Sequence, residues 1–128
     1  MGYLIDTHIY IWADSEPDKL SQIAKNILDN PNCDVYLSMV TLWELQIKVQ
    51  LGKLTLKTPL NQAIDYIKQN NLYRILPIKE KDILGLKNLP FHHKDPFDRL
   101  LISQAKNNGL TFITVDENIL KYDVNCIF

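Results

Sequence analysis

The sequence predicts an α/β fold with a central parallel sheet covered by helices on both faces, formed as one domain over residues 1–128. Three observations lead there. Short apolar runs of strand character alternate with helically spaced segments from one end of the chain to the other. The length of 128 residues, with 46% hydrophobic and 23% charged side chains, suits one buried core and excludes a disordered or fibrous chain. No repeat, linker or low-complexity tract divides the sequence.

Taken in order, Gly2 to Ile5 reads as a strand ending at Asp6, and Ile9, Trp12 and Ala13 then recur at helical spacing. Asp18 to Asn30 carries the stripe Leu20, Ile23, Ala24, Ile27 and Leu28, which predicts a second helix stopped by Pro31. Val35 to Leu37 is the next strand, followed by a helix over Val40 to Leu51 that Gly52 closes. Pro59 opens a helix running to Asn71. Tyr73 to Ile78 predicts a strand whose ladder Pro77 would cut. Lys79 to Leu86 reads as a short helix, and His92 to Asp95 as a polar loop. Asp95 then suits the N-cap of a helix that starts at Pro96 and ends at Gly109. Leu110 to Val115 is an apolar strand, Glu117 to Tyr122 a helical turn and Val124 to Ile127 a last strand.

The apolar runs, such as Leu100-Leu101-Ile102, fall far short of the ~20 residues that cross a bilayer, so no membrane span is expected. The N-terminus lacks the pattern of a secretory leader, and Asp6 stands where myristoylation needs Ser or Thr. A cytoplasmic location is the expectation. Cys33 and Cys126 lie far apart and signal neither zinc nor a disulfide scaffold. The formal net charge of -1 neither demands nor excludes a nucleic-acid partner.

Open parallel sheets bind ligands beyond the carboxyl ends of their strands. Asp6 and Asp116 each follow an apolar strand there, with Thr7 or Thr114 beside them, and each could serve chemistry or cap the next helix. Glu44 shares a helical stripe with Val40, Ile47 and Leu51, so its carboxylate should face inward, where an unpaired charge is costly. That placement favours function over the alternative, an exposed i,i+4 pair with Lys48. Asp98 precedes Leu101, Ile102 and Ala105 on the helix side expected to pack on the sheet, so it too should reach the strand ends.

Asp6, Glu44, Asp98 and Asp116 thus converge on one sheet edge in the predicted topology. Four such charges repel one another, which raises pKa values or calls for a divalent ion between them. Hard oxygen donors without cysteine or a histidine cluster suit Mg²⁺ or Mn²⁺ rather than zinc. Setting the four aside leaves eleven acidic against fourteen basic residues, a remainder that could hold a polyanion around an acidic centre.

Through these residues the chain resembles the PIN-domain ribonucleases, and more closely the VapC-like toxins of type II toxin-antitoxin pairs, over nearly its whole length. Leu4-Ile5-Asp6-Thr7-His8 with Trp12 is similar to the first-strand motif. Ser38, Trp43-Glu44-Leu45-Gln46-Ile47-Lys48 and Gly52-Lys53-Leu54 resemble the segment carrying the second acid. His93-Lys94-Asp95-Pro96-Phe97-Asp98-Arg99 resembles the H-x-D-P-F-D-R helix start of one VapC-like branch, and Thr114-Val115-Asp116 the fourth motif.

The resemblance implies a three-layer α/β/α fold, Mg²⁺- or Mn²⁺-dependent cleavage of RNA, a cognate antitoxin as inhibitor and a homodimer. It carries over Asp6, Glu44, Asp98 and Asp116 as the acidic quartet. Asp95 matches an extra acid of the branch, either a metal ligand or only a helix cap. Thr114 could position a ligand or the attacking water, or be structural. Arg99, expected exposed, could contact phosphate or an antitoxin carboxylate, or form a surface ion pair. Trp12, Trp43, Phe97 and Phe112 read as core or interface aromatics, and His92 and His93 as solvated loop residues. A phospho-accepting receiver domain has a similar length and order, but Pro77-Ile78-Lys79 and Thr114-Val115-Asp116 stand where its motifs would be. The remaining alternative is a catalytically silent PIN-like module that binds RNA or protein.

Overall fold

Five strands lie side by side in the order β3-β2-β1-β4-β5, all parallel, in a computed structural model that describes residues 2–128. They are β1 (Gly2–Ile5), β2 (Asp34–Ser38), β3 (Arg74–Leu76), β4 (Thr111–Ile113) and β5 (Cys126–Ile127). The central strand is β1. It pairs Leu4 with Tyr36 of β2 on one side and with Phe112 of β4 on the other. Connections leave β1 toward β2 and return beyond it to β4, so the strand order reverses between β1 and β4. That reversal opens the crevice in which such sheets bind ligands.

Alternate strand residues enter two separate cores, as a sheet covered on both faces requires. Leu4 and Phe112 pack with Leu101, Ile102 and Ala105 from α6 (Pro96–Asn107) on one face. Ile5, Leu37 and Ile113 pack on the other face with Ile9 from α1 (Thr7–Ser15), Ala24 from α2 (Gln22–Asp29) and Ile67 from α4 (Leu60–Gln69). The result is the expected three-layer α/β/α arrangement. The helix α3 (Met39–Gln50) serves both cores, Val40 facing the first and Leu42 and Leu45 the second.

Local chemistry fixes the element ends. Ser38 closes β2 and its hydroxyl accepts the Val40 N–H at 2.9 Å, starting α3 at once. The same hydroxyl bonds the amide of fully buried Gln104, whose Nε2 donates to the Pro77 carbonyl at 3.1 Å. One side chain from α6 thereby ties the ends of β2 and β3. Pro77 does cut its strand, leaving β3 three residues long. Gly52 adopts a positive φ of 71° just past the end of α3, the conformation a helix stop favours.

One predicted element breaks in two. In place of a single helix over Asp18 to Asn30 there is a 3-10 turn at Pro17–Lys19, extended backbone at Leu20 and Ser21, and then α2. The Ser21 hydroxyl accepts the Ala24 N–H at 3.0 Å and so sets the true start, while Leu20 is buried from an extended residue rather than from the helical stripe. The short helix after β3 is α5 (Glu80–Leu84), continued as a 3-10 turn over Gly85–Asn88.

Candidate functional site

The carboxyl ends of β1 and β4 place Asp6 and Thr114 next to each other. Thr114 Oγ1 donates to Asp6 Oδ2 at 2.6 Å and accepts the backbone N–H of Asp116 at 3.1 Å. Asp6 occupies the residue before α1 but its carboxylate caps nothing, which removes the capping alternative. It is 1% exposed, and Oδ1 makes no hydrogen bond of good geometry, although the nearby Thr7 N–H favours its charged form. An orphaned acceptor on a buried carboxylate costs roughly 1–3 kcal/mol or more, a cost a cation would offset.

Glu44 faces inward from α3, 4% exposed, as its helical stripe predicts. Oε1 accepts from Thr7 Oγ1 at 2.8 Å, and Oε2 meets Lys48 Nζ at 2.6 Å. The two readings of Glu44 are therefore compatible, because the pair with Lys48 exists with the carboxylate buried. Burial alone would lower the Lys48 ammonium, yet Glu44 overrides it and, with Asp95 and Asp98, holds it above the ordinary lysine range.

Asp95 caps α6, with Oδ1 accepting the N–H groups of Phe97 at 2.8 Å and Asp98 at 3.2 Å. This puts Asp98 in the first turn with its carboxylate aimed at the loop after β4. Asp98 Oδ2 and Asp116 Oδ2 each lie 2.9 Å from His93 Nε2, and ligand atoms of these three residues fall within 4.8 Å of one another. Asp116 also accepts the Asn118 N–H at 2.8 Å through Oδ1, so it shapes its own turn as well as facing the cluster.

The other three predicted acids all act electrostatically on Asp98. Burial pushes the Asp98 carboxyl up to about 8, and the charges of Asp6, Asp95, Glu44 and Asp116 add to the shift. The Asp6 carboxyl is also raised, chiefly by burial, with Glu44 contributing and the Thr114 hydrogen bond opposing. A carboxyl that holds its proton near neutrality beside other acids marks a site lacking a counter-charge.

Two sequence readings are corrected here. Arg99 is not on the surface but 7% exposed. Its guanidinium donates to the carbonyls of Pro90 (2.8 Å), Leu86 and Leu89 (both 3.3 Å) and His93 (3.4 Å), and to the Tyr122 hydroxyl (3.3 Å). It stacks 4.3 Å from the Phe91 ring centroid. Five acceptors without a carboxylate make it the organiser of the loop before α6, so no phosphate or antitoxin carboxylate meets it there. His93 is not a solvated loop residue either, since that loop folds back over Asp116; His92 stays exposed. His93 stands two residues before the N-cap, which carries it along with Asp98, but its approach to Asp116 is made by the loop and has no sequence signal. Of the aromatics, Phe112 is core, whereas Trp43 is 52% exposed and meets Phe97 edge-on at 4.9 Å.

A groove of about 640 Å³ lies elsewhere, between α1 and α4, lined by Tyr10, Gln62, Tyr66 and Tyr73 among others. It holds none of the quartet. Orphaned and proton-retaining carboxylates, rather than cavity size, single out the strand-end cluster.

A sequence profile described as "PIN domain" matches residues 3–125. No curated protein matches the chain. Among solved structures it is similar to VapBC2 from Rickettsia felis bound to a promoter DNA fragment, at 20% identity and a TM-score of 0.75, covering 99% of this chain and 98% of that one. It is similar to FitAcB from Neisseria gonorrhoeae at 25% identity and a TM-score of 0.65, covering 98% and 96%. A third similar structure is VapBC-1 from nontypeable Haemophilus influenzae, at 21% identity and a TM-score of 0.63, covering 99% and 97%.

Proposed function

Since this chain belongs to the PIN domain family, we propose that it is a nuclease that hydrolyses RNA internally with the help of Mg²⁺ or Mn²⁺, as the toxin of a toxin-antitoxin pair. The observation that carries the reading is the buried, unpartnered Asp6 Oδ1, beside an Asp98 carboxyl that burial, and then the neighbouring acids, lift to about 8. A donor set of carboxylate oxygens fits a hard divalent cation.

In this reading Asp6, Asp98 and Asp116 hold the cation, and Glu44 either joins them or orients the attacking water. A divalent ion, when bound, acidifies water and neutralises charge building on the phosphoryl oxygens. Thr114 keeps Asp6 and Asp116 in mutual register through its single hydroxyl. Asp95 acts as the helix cap, its Oδ1 shared by two N–H groups. Hydrolysis forms a bond from water oxygen to phosphorus and breaks the bond from phosphorus to O3′. The products are a 5′-phosphate and a 3′-hydroxyl, the leaving oxygen taking up a proton.

The partner in this reading is a cognate antitoxin, and the chain acts as a homodimer. The antitoxin is supported by similar folds in structures described as toxin-antitoxin complexes or systems. The test is incubation of the purified protein with structured RNA and Mn²⁺, followed by end-group analysis. Cleavage to 5′-phosphate ends that EDTA and Asp6→Asn both abolish supports the enzyme. Binding of RNA that needs no metal and yields no cleavage would favour the silent module instead.

A further inference from the structure

His93 Nε2 hydrogen-bonds Asp116 Oδ2 and lies the same 2.9 Å from Asp98 Oδ2, whose carboxylate has no other charged or hydrogen-bonding nitrogen in contact among the described residues. Its other ring nitrogen decides what it can do. Nδ1 accepts the backbone N–H of Asp95 at 3.1 Å, so the hydrogen-bond network assigns the proton of a neutral imidazole to Nε2. A metal-binding histidine has the opposite polarity: its free nitrogen meets the ion while the other donates to a carboxylate or carbonyl. The polarity here disqualifies His93 as a ligand in the position it holds.

The residue is also held firmly. Its backbone N–H donates to the Tyr122 hydroxyl at 2.9 Å, and that hydroxyl in turn donates to the Pro90 carbonyl at 2.7 Å. Arg99 braces the same loop from beneath. The ring orientation is thus imposed by the helix cap and by the loop that carries it. Asp98 and Asp116, by contrast, come from separate elements, and no shared backbone fixes the gap between them.

Resting on the reading of this cluster as a divalent-cation site, we propose that His93 is a positioning residue. Its Nε2–H clasps Asp98 and Asp116 and sets the gap between them while the ring stays outside the ion's ligands. Without that shared contact nothing fixes the spacing of the two side chains, and the ion would have to draw them together.

The probe is Mn²⁺ alone, with affinity read by calorimetry and ligation by pulsed electron paramagnetic resonance. Removing an outer partner of metal ligands typically weakens binding about 10- to 100-fold, and His93→Ala is expected to do so. In His93→Gln the side-chain amide N–H lies about where Nε2–H was, so Mn²⁺ affinity should return to within about threefold of the parent. Mn²⁺ bound to the unaltered protein should show no coupling to a directly ligated imidazole nitrogen. Parent-like affinity in His93→Ala, equal losses in the Ala and Gln variants, or a nitrogen coupling that His93→Gln abolishes would each overturn the inference while the cation site stands. Failure of the unaltered protein to bind Mn²⁺ would remove the site reading and this inference with it.

Discussion

Thr114 donates its hydroxyl to Asp6 across 108 residues of sequence, at 2.6 Å, joining the carboxyl ends of β1 and β4. The two strands are neighbours because the order reverses between them, and the bond therefore spans the crevice in which the acids gather. It binds one carboxylate oxygen and leaves the other, Oδ1, buried without a hydrogen-bond partner.

Thr114→Val keeps the shape and removes the hydroxyl. It is expected to lower Mn²⁺ affinity by about 10- to 100-fold and stability by about 1–2 kcal/mol, while Thr114→Ser retains most of both. Calorimetric titration together with urea unfolding checks this, and Mn²⁺ binding by Thr114→Val equal to that of the parent would speak against the role.

The metal-free protein should lose stability as pH rises. Asp98 titrates at about 8 in the fold against an ordinary value of 3.8, so the folded state holds a proton that the unfolded chain releases. The stabilising contribution of that proton is complete below pH ~4 and disappears as pH climbs through ~8. Asp6 is shifted in the same direction. Melting curves in EDTA from pH 5 to 9 should show a falling Tm, with a shallower slope for Asp98→Asn and with Mn²⁺ present. A Tm that rises over that interval in EDTA would contradict the charge arrangement.

Arg99 is predicted to matter for folding rather than for RNA contact. Arg99→Lys cannot reproduce a planar fork that serves five acceptors, and Arg99→Met withdraws that donor from all five and leaves the Leu89 carbonyl with no other hydrogen bond, so losses of about 1–3 kcal/mol are expected by urea denaturation. An Arg99→Met protein of parental stability would show that those contacts contribute little.

Most of the architecture was legible because its signals are local. The buried strands read as apolar runs, and Asp95, Pro96 and Gly52 announce helix ends through their own backbone preferences. The helix at 18–30 was misread because Leu20 fits a helical stripe by spacing yet is buried from extended backbone. Asp98 and Asp116 come within ligand distance of each other, while Asp6 and Glu44 act on Asp98 through their charges without entering that group. Arg99 and His93 were not legible, since their surroundings are made by a loop of residues 85–95 folding over the start of α6. No periodicity encodes that folding. The helical position of Arg99, directly before the buried run Leu100 to Ala105, is the nearest hint the sequence holds.

The most direct measurement is anomalous diffraction at the manganese edge from crystals grown with Mn²⁺. A peak between the carboxylates of Asp6, Asp98 and Asp116 that disappears in Asp6→Asn is the result expected. Fully occupied density for bound Mn²⁺ at some other place on the molecule, with these three side chains unliganded, would contradict the account.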